Sequence, residues 1–145
     1  MLALELNKSV VKAFMGQILR EELFDGFDVR SIEIAAPMRI SIDGGTDEGF
    51  SSWGALRPLV YMIIKECQKP KLVKIVLSLS PEKSAEVHFN AAALFLNMVY
   101  ENDCVTFTTA TAQKEFVLDK TLDAAWDEWI SGFFVRKGLP VTARE

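Results

Sequence analysis

The run LVKIVLSLSPEKSAEVHFNAAALFLNMVYENDCVTFTTATAQKEFVL, Leu72 to Leu118, decides the fold class. Its apolar residues recur at every second position, the repeat of a strand with one buried and one wet face. Val73, Ile75, Leu77 and Leu79 share a face, with Lys74, Ser78 and Ser80 on the other. A turn at Pro81-Glu82-Lys83 leads to Val87 and Phe89, which flank His88 in a further strand. Leu94, Leu96, Met98 and Tyr100 follow, then a turn at Glu101-Asn102-Asp103, then Val105, Phe107 and Thr109. Phe116 and Leu118 read as the end of the run. Short strands with tight polar turns pair antiparallel, because a parallel crossover needs a dozen or more residues.

Beyond this run, TLDAAWDEWISGFFVRKGLP carries helical spacing from about Thr121 to Lys137, with Gly138 as the C′ residue and Pro140 preventing continuation. Placed at ~100° per residue, Leu122, Ala125, Trp126, Trp129, Ile130, Phe133 and Phe134 cover about half the helix circumference. A core-facing stripe is nearer ~100° wide. The excess width predicts either deep burial or a second surface, and Trp126, Trp129, Ile130, Phe133 and Phe134 are the candidate interface of a homo-oligomer. Asp123, Asp127 and Glu128 read as the solvated acidic side of the same helix, those near its start complementing the dipole.

Upstream, Leu2 to Leu6 alternates as a first strand, and Val10, Phe14, Ile18 and Leu19 mark a helix from about Ser9 to Leu23, capped by Asn7 or Ser9. Ile32 and Ile34, then Met38, Ile40 and Ile42, give two short strands or one interrupted strand around Ala36-Pro37, a position restricted to an edge or a break. Trp53, Leu56, Val60, Ile63 and Cys67 repeat as a helix near 54–66, closed by Pro70. Pro58 is comfortable only in a first turn, which puts the regular part of that helix near Arg57. The expected fold is α+β over residues 1–145 as a single domain: an antiparallel sheet of six or seven strands with helices near 9–23, 54–66 and 121–137 packed on it.

The 145 residues are half hydrophobic and a quarter charged, which excludes disorder, and the net charge of −4 gives no general attraction to nucleic acid or anionic membrane. A basic patch is still compatible with that total. No stretch reaches the ~18 apolar residues of a membrane span, and the start has an acid at Glu5 and no basic flank, unlike a secretory signal. Cys67 and Cys104 read as free buried thiols, so the cytoplasm is the expected location.

Motifs for chemistry are sparse. The 43–48 loop carries Asp43, Asp47 and Glu48 among glycines, but its spacing matches neither a calcium loop nor a phosphate-binding loop, and turn glycines explain it more simply. His88 is the one histidine, with no nucleophile motif to serve, and reads as solvent-facing or locally hydrogen-bonded. No catalytic, cofactor-binding or metal-binding residue is assigned. Lys8, Lys12 and Arg20 lie along the first helix, and Lys65 and Lys69 in and after the second, where solvated helix faces are the plain reading.

The pieces LRPLVYMIIKECQKPKLVKIVLSLS (56–80), FLNMVYEND (95–103) and FVLDKTLDAAWDEWISGFF (116–134) are similar to a family of small uncharacterised bacterial proteins, a domain of unknown function in clostridia-type Firmicutes. Trp53 with Leu56-Arg57-Pro58, Leu96-Asn97, and Phe116 through Trp126 are its most specific pieces. The resemblance implies a cytosolic bacterial protein and transfers no catalytic residue. A strand–helix–strands order also occurs twice, as in the domains of sliding DNA clamps, and on that analogy Lys8, Lys12, Arg20, Lys65 and Lys69 are nucleic-acid contact candidates. The leading expectation is a non-enzymatic binding or assembly module that self-associates; a clamp-like nucleic-acid-associated protein is second, and an enzyme of unidentified chemistry third.

Overall fold

In the computed structural model, which describes residues 2–67 and 69–143, the alternating run forms the middle of a seven-stranded antiparallel sheet. In chain order, β1 (Ala3–Leu6) leads through a 3-10 turn (Lys8–Val10) into α1 (Val11–Arg20). The hairpin of β2 (Asp28–Ala35) and β3 (Arg39–Asp43) follows, then a miniature hairpin of β4 (Gly45–Thr46) and β5 (Gly49–Phe50). Next come α2 (Trp53–Glu66), β6 (Leu72–Ser78), α3 (Pro81–Val87), β7 (Ala91–Glu101), β8 (Cys104–Gln113), α4 (Thr121–Arg136) and β9 (Val141–Ala143). The large sheet runs β3-β2-β6-β7-β8-β1-β9. The expected class is α+β with an antiparallel sheet, and that is the architecture; α3 adds a fourth helix.

Alternation decides which face is covered. Val73, Ile75 and Leu77 of β6, Leu94, Leu96 and Met98 of β7, and Val105 and Phe107 of β8 are all buried, and they join one core with α1, α2 and α4. The intervening positions, such as Lys74, Asn97 and Thr106, point away from that core. Ala36-Pro37 belongs to a hairpin turn between two separate strands, and β3 lies at the sheet edge, where a neighbouring proline is tolerated. The expected repeat of helix and strands is interrupted: α1 is followed directly by β2 and β3, whereas α3 separates β6 from β7 after α2, although β2 and β6 pair antiparallel and α1 touches α2. These strands share one continuous sheet.

Four local readings change. Pro81-Glu82-Lys83 is the first turn of α3 and not a strand-joining turn: Ser80 accepts from the Lys83 N–H as cap, and Pro81 stands at N1, where its missing N–H costs nothing. Val87 ends that helix and His88 caps it, so no strand flanks the histidine. Phe116 and Leu118 lie outside any strand, on the exposed connection between β8 and α4. The α1 helix is shorter than expected, because Asn7 caps a 3-10 turn instead and Phe24 and Phe27 enter the core from a loop.

A further change concerns α2, which starts at Trp53 and keeps Pro58 in its interior, not near its first turn. An interior proline costs ~3 kcal/mol or more, and the preceding turn is held by several anchors. Ser52 caps Ala55, the Trp53 N–H donates to the Phe27 carbonyl, and its indole donates to the Ile18 carbonyl at 3.2 Å. Arg57 forks onto both oxygens of Asp25, at 3.0 and 2.9 Å, beside Gly54. These contacts give the Trp53-to-Pro58 piece a structural meaning.

Glycine serves the 43–52 segment in two ways. Gly49 takes a φ of 130°, and Gly44 passes so close to β2 that a Cβ would sit 1.8 Å from the Val29 carbonyl oxygen. The miniature hairpin thereby folds over β2 and lays the Phe50 ring 3.9 Å from the Arg30 guanidinium.

The broad stripe of α4 is used up inside the chain. Trp126, Ile130, Phe133 and Phe134 are buried and Trp129 is half-buried. Phe134 packs on Phe107 at 4.8 Å between ring centres, while Phe133 meets Phe24 and Phe27 and Trp129 meets Phe27. The helix ends as its sequence suggests: Gly138 has a φ of 68°, and the Leu139 N–H reaches back to the Phe134 carbonyl. Its acids are only partly solvated. Glu128 is exposed, but Asp123 accepts from the Thr111 hydroxyl and Asp127 from the Thr109 hydroxyl at 2.6 Å. Spacing alone ranks a carboxylate as wet; the donors sit on β8, out of reach of any helical pattern.

Thr109 is buried, and its oxygen also accepts from the Leu2 N–H at 2.9 Å. Thr109→Val keeps the shape and removes both bonds, so urea unfolding is expected to show a loss of ~1–3 kcal/mol. An unchanged midpoint would show that these bonds contribute nothing net.

Candidate functional site

Lys8 and Lys12 stand four residues apart, which puts both side chains on one side of the 3-10 turn and the first turn of α1. They look across a groove of about 440 Å³ towards Lys69, in the link from α2 to β6. Val11, Met15 and Leu19 of α1 form one wall with Ile64 of α2, and Pro70 and Tyr100 close the far side. Apolar walls with a few converging polar groups are the ordinary make-up of a small-molecule site, and the volume falls in the range such sites occupy.

The far rim is built by the β7–β8 turn. Glu101 pairs with Cys104, leaving Asn102 and Asp103 as a two-residue loop with φ of 54° and 60°. Left-handed values at both positions match the right-handed twist of the flanking strands, and Asn and Asp tolerate them better than other side chains. The turn holds Asp103 so that one carboxylate oxygen accepts from Lys69 at 2.6 Å and from the Tyr100 hydroxyl at 3.2 Å.

These contacts shift three titrations. The bond to Asp103 raises the Lys69 ammonium, and the bonds from Lys69 and then Tyr100 hold the Asp103 carboxyl below its ordinary value. Burial, and next the bond to Asp103, push the Tyr100 phenol up. The Lys69–Asp103 pair is exposed, so it orients the rim more than it stabilises the fold. Lys8 and Lys12 have no ion pair among the described residues. Three ammonium groups thus face one carboxylate around the groove, inside a chain whose total is −4.

Of the five basic candidates, Lys8, Lys12 and Lys69 meet here, while Lys65 is exposed on α2 outside the lining. Arg20 folds back to donate to the Gly16 carbonyl of its own helix at 3.3 Å. The rim partners Tyr100 and Asp103 were visible in the sequence only as a strand end and a turn. Nothing in the spacing connects them to Lys8, some ninety residues earlier.

The other candidates stay apart from this groove. His88 accepts from the Asn90 N–H through Nδ1 at 3.0 Å, and its Nε2 lies 3.3 Å from the Thr121 hydroxyl. Asp43 accepts from the Gly45 N–H within its own turn. Among the described residues no group of three or more His, Cys, Asp or Glu is placed to hold a metal ion. Cys67 and Cys104 are free and half-buried. No helix of the described residues is long and apolar enough to cross a membrane.

The Asp103 shift contributes stability above the ordinary carboxyl value of 3.8, and that contribution is lost as pH falls through the lower folded value. The Tyr100 shift runs the other way: its contribution is complete below the ordinary value of 10.0 and is lost as pH rises through the higher folded value. In a Tyr61→Phe background, ultraviolet titration is expected to place Tyr100 above 10.0, and Asp103→Asn to move it down towards that value. An identical curve for the two proteins would refute the hydrogen-bonded turn.

No curated protein and no solved structure matches the chain. A family model does, over residues 17–141, a span that takes in the last turn of α1, the whole β2–β8 part of the sheet and α4. The chain belongs to this family, the family of unknown function DUF5721.

Proposed function

We propose that the chain is a non-catalytic binding module whose groove takes a small organic anion with an apolar body. The observation that carries this reading is the cluster of Lys8 and Lys12, which have no ion pair among the described residues, with Lys69 over walls of Val11, Met15, Leu19 and Ile64. The charged end of the ligand sits at the lysine rim. Its hydrocarbon part lies along α1, where each buried methylene contributes ~0.8 kcal/mol. Gathering of three lysines at one concavity supports a compact anion over a nucleic-acid backbone, which is better served by a long stripe of cations. Both ring nitrogens of His88 are engaged locally, which favours binding over catalysis. Free half-buried thiols fit a reducing compartment, so we place the protein in the cytoplasm.

Decanoate is a suitable probe, followed by isothermal titration calorimetry on the full chain. Wild type is expected to bind it, decanol to bind more weakly, and Lys12→Glu to lose at least ~10-fold in affinity, equivalent to ~1.4 kcal/mol. Equal affinity for decanoate and decanol, or no effect of Lys12→Glu, would overturn the assignment. Salt-sensitive binding of duplex DNA at ~50 mM salt, abolished by the same substitution, would transfer the groove to the nucleic-acid reading.

A further inference from the structure

At the end of the β7–β8 hairpin opposite the groove, three large apolar side chains stand almost free of the protein. Phe89 is 82% exposed, Phe116 82% and Leu118 85%. Their exposure is not that of a loose loop. The Asn90 side chain donates to the Glu115 carbonyl at 2.9 Å and accepts from the Glu115 N–H at 3.0 Å, and the Lys114 N–H donates to the Asn90 carbonyl. Asn90 is itself buried. The Gln113 amide brackets Val117, accepting from its N–H and donating to its carbonyl. On the other side, Phe89 stacks on His88 at 4.7 Å, and His88 reaches Thr121 at the start of α4. A hydrogen-bonded frame therefore holds the two segments together and keeps their apolar tips turned outwards.

Such a frame lowers the ordering cost of association, because the contact groups are in place before a partner arrives. The rim indicates which partner. Lys114, Glu115, Asp119 and Lys120 flank Phe116 and Leu118 along the chain, two charges of each sign. An anionic membrane attracts an excess of basic groups, and here acids offset them. A balanced rim is complementary to its own copy after a two-fold rotation, when each lysine can face an acid. Two phenyl rings at ~150–250 Å² each, with a leucine, supply roughly half of the ~800 Å² per partner of a standard interface. The charged rim supplies area for the remainder.

We propose that this end of the molecule is where a second copy of the chain docks, as a two-fold dimer centred on Phe116 and Leu118. Self-association then uses the β8–α4 connection and not the aromatic face of α4, which the core already occupies.

The test is sedimentation equilibrium of the full chain over a concentration series, comparing wild type with a Phe116→Ser, Leu118→Ser double variant. Both side chains lie outside the core, so circular dichroism and urea unfolding are expected to be unchanged. Wild type is expected to sediment as a dimer, and the variant to dissociate at least ~30-fold more readily, the lower bound for loss of a hot-spot side chain. A wild-type monomer up to the solubility limit would overturn the proposal, as would a dimer that the double substitution leaves intact. Co-flotation of a monomeric wild type with phosphatidylserine vesicles, lost in the variant, would also overturn it and assign the patch to a lipid surface.

Discussion

Seating the α4 aromatic edge on Phe107 is the contact on which the rest of the molecule depends. Phe134 rests on that ring, Phe14 meets it from α1, and Phe24 comes in from the loop beyond α1. Phe133 and Trp129 then extend the layer to Phe27. A helix with a narrower stripe would cover the sheet but leave this loop without a partner. The extra width of the stripe is needed because α4 has two neighbours, a sheet and an irregular segment rich in phenylalanine. Hydrogen bonds from Thr109 and Thr111 to Asp127 and Asp123 fix the helix along β8 while the rings fill the space beneath it.

With the core confined to one face of the sheet, the two ends of the β7–β8 hairpin are free to differ. One end carries a groove lined by three lysines; the other carries rings held out by Asn90 and Gln113. Net charge conceals the first feature, since acids elsewhere outweigh a local excess of cations. Overall hydrophobic content conceals the second, since most of the phenylalanines are in the core. Both features arise from short turns and connections, where backbone geometry and not periodicity decides where a side chain points.

Legibility in the sequence follows the same division. Val73-to-Leu77, Leu94-to-Tyr100 and Val105-to-Thr109 alternate for long enough that pattern alone identifies strands, and Gly138 marks the end of α4 where its conformation requires glycine. Val87 and Phe89 show the limit, because two alternating residues fit a helix end as well as a strand, and the Ser80-Pro81 start outweighs them. Phe116 and Leu118 were misread for a related reason: apolar alternation implies a buried face only if something covers it. Pro58 misled because tertiary anchors at Trp53 and Arg57 overrode a local penalty. The groove was illegible as a site because its walls come from α1, α2 and the β7–β8 turn, and only the folded chain brings Lys8 to Asp103.

The pairing of β1 with β8 and β9 has a consequence for how the molecule is made. Ala3 to Glu5 find their partners about a hundred residues later, at Thr106 to Thr108, and Leu4 to Leu6 pair with Val141 to Ala143. The β2–β6–β7–β8 part can assemble from nearer neighbours, but β1 has no edge to join until β8 exists, and β9 has none until β1 is in place. Contacts of such long sequence separation slow folding, because loop closure precedes any energetic return. During synthesis β1 therefore emerges well before either of its partners, and once β8 has formed its edge is an open hydrogen-bonding template until β1 docks. The strand that comes first in the chain is among the last to be fixed.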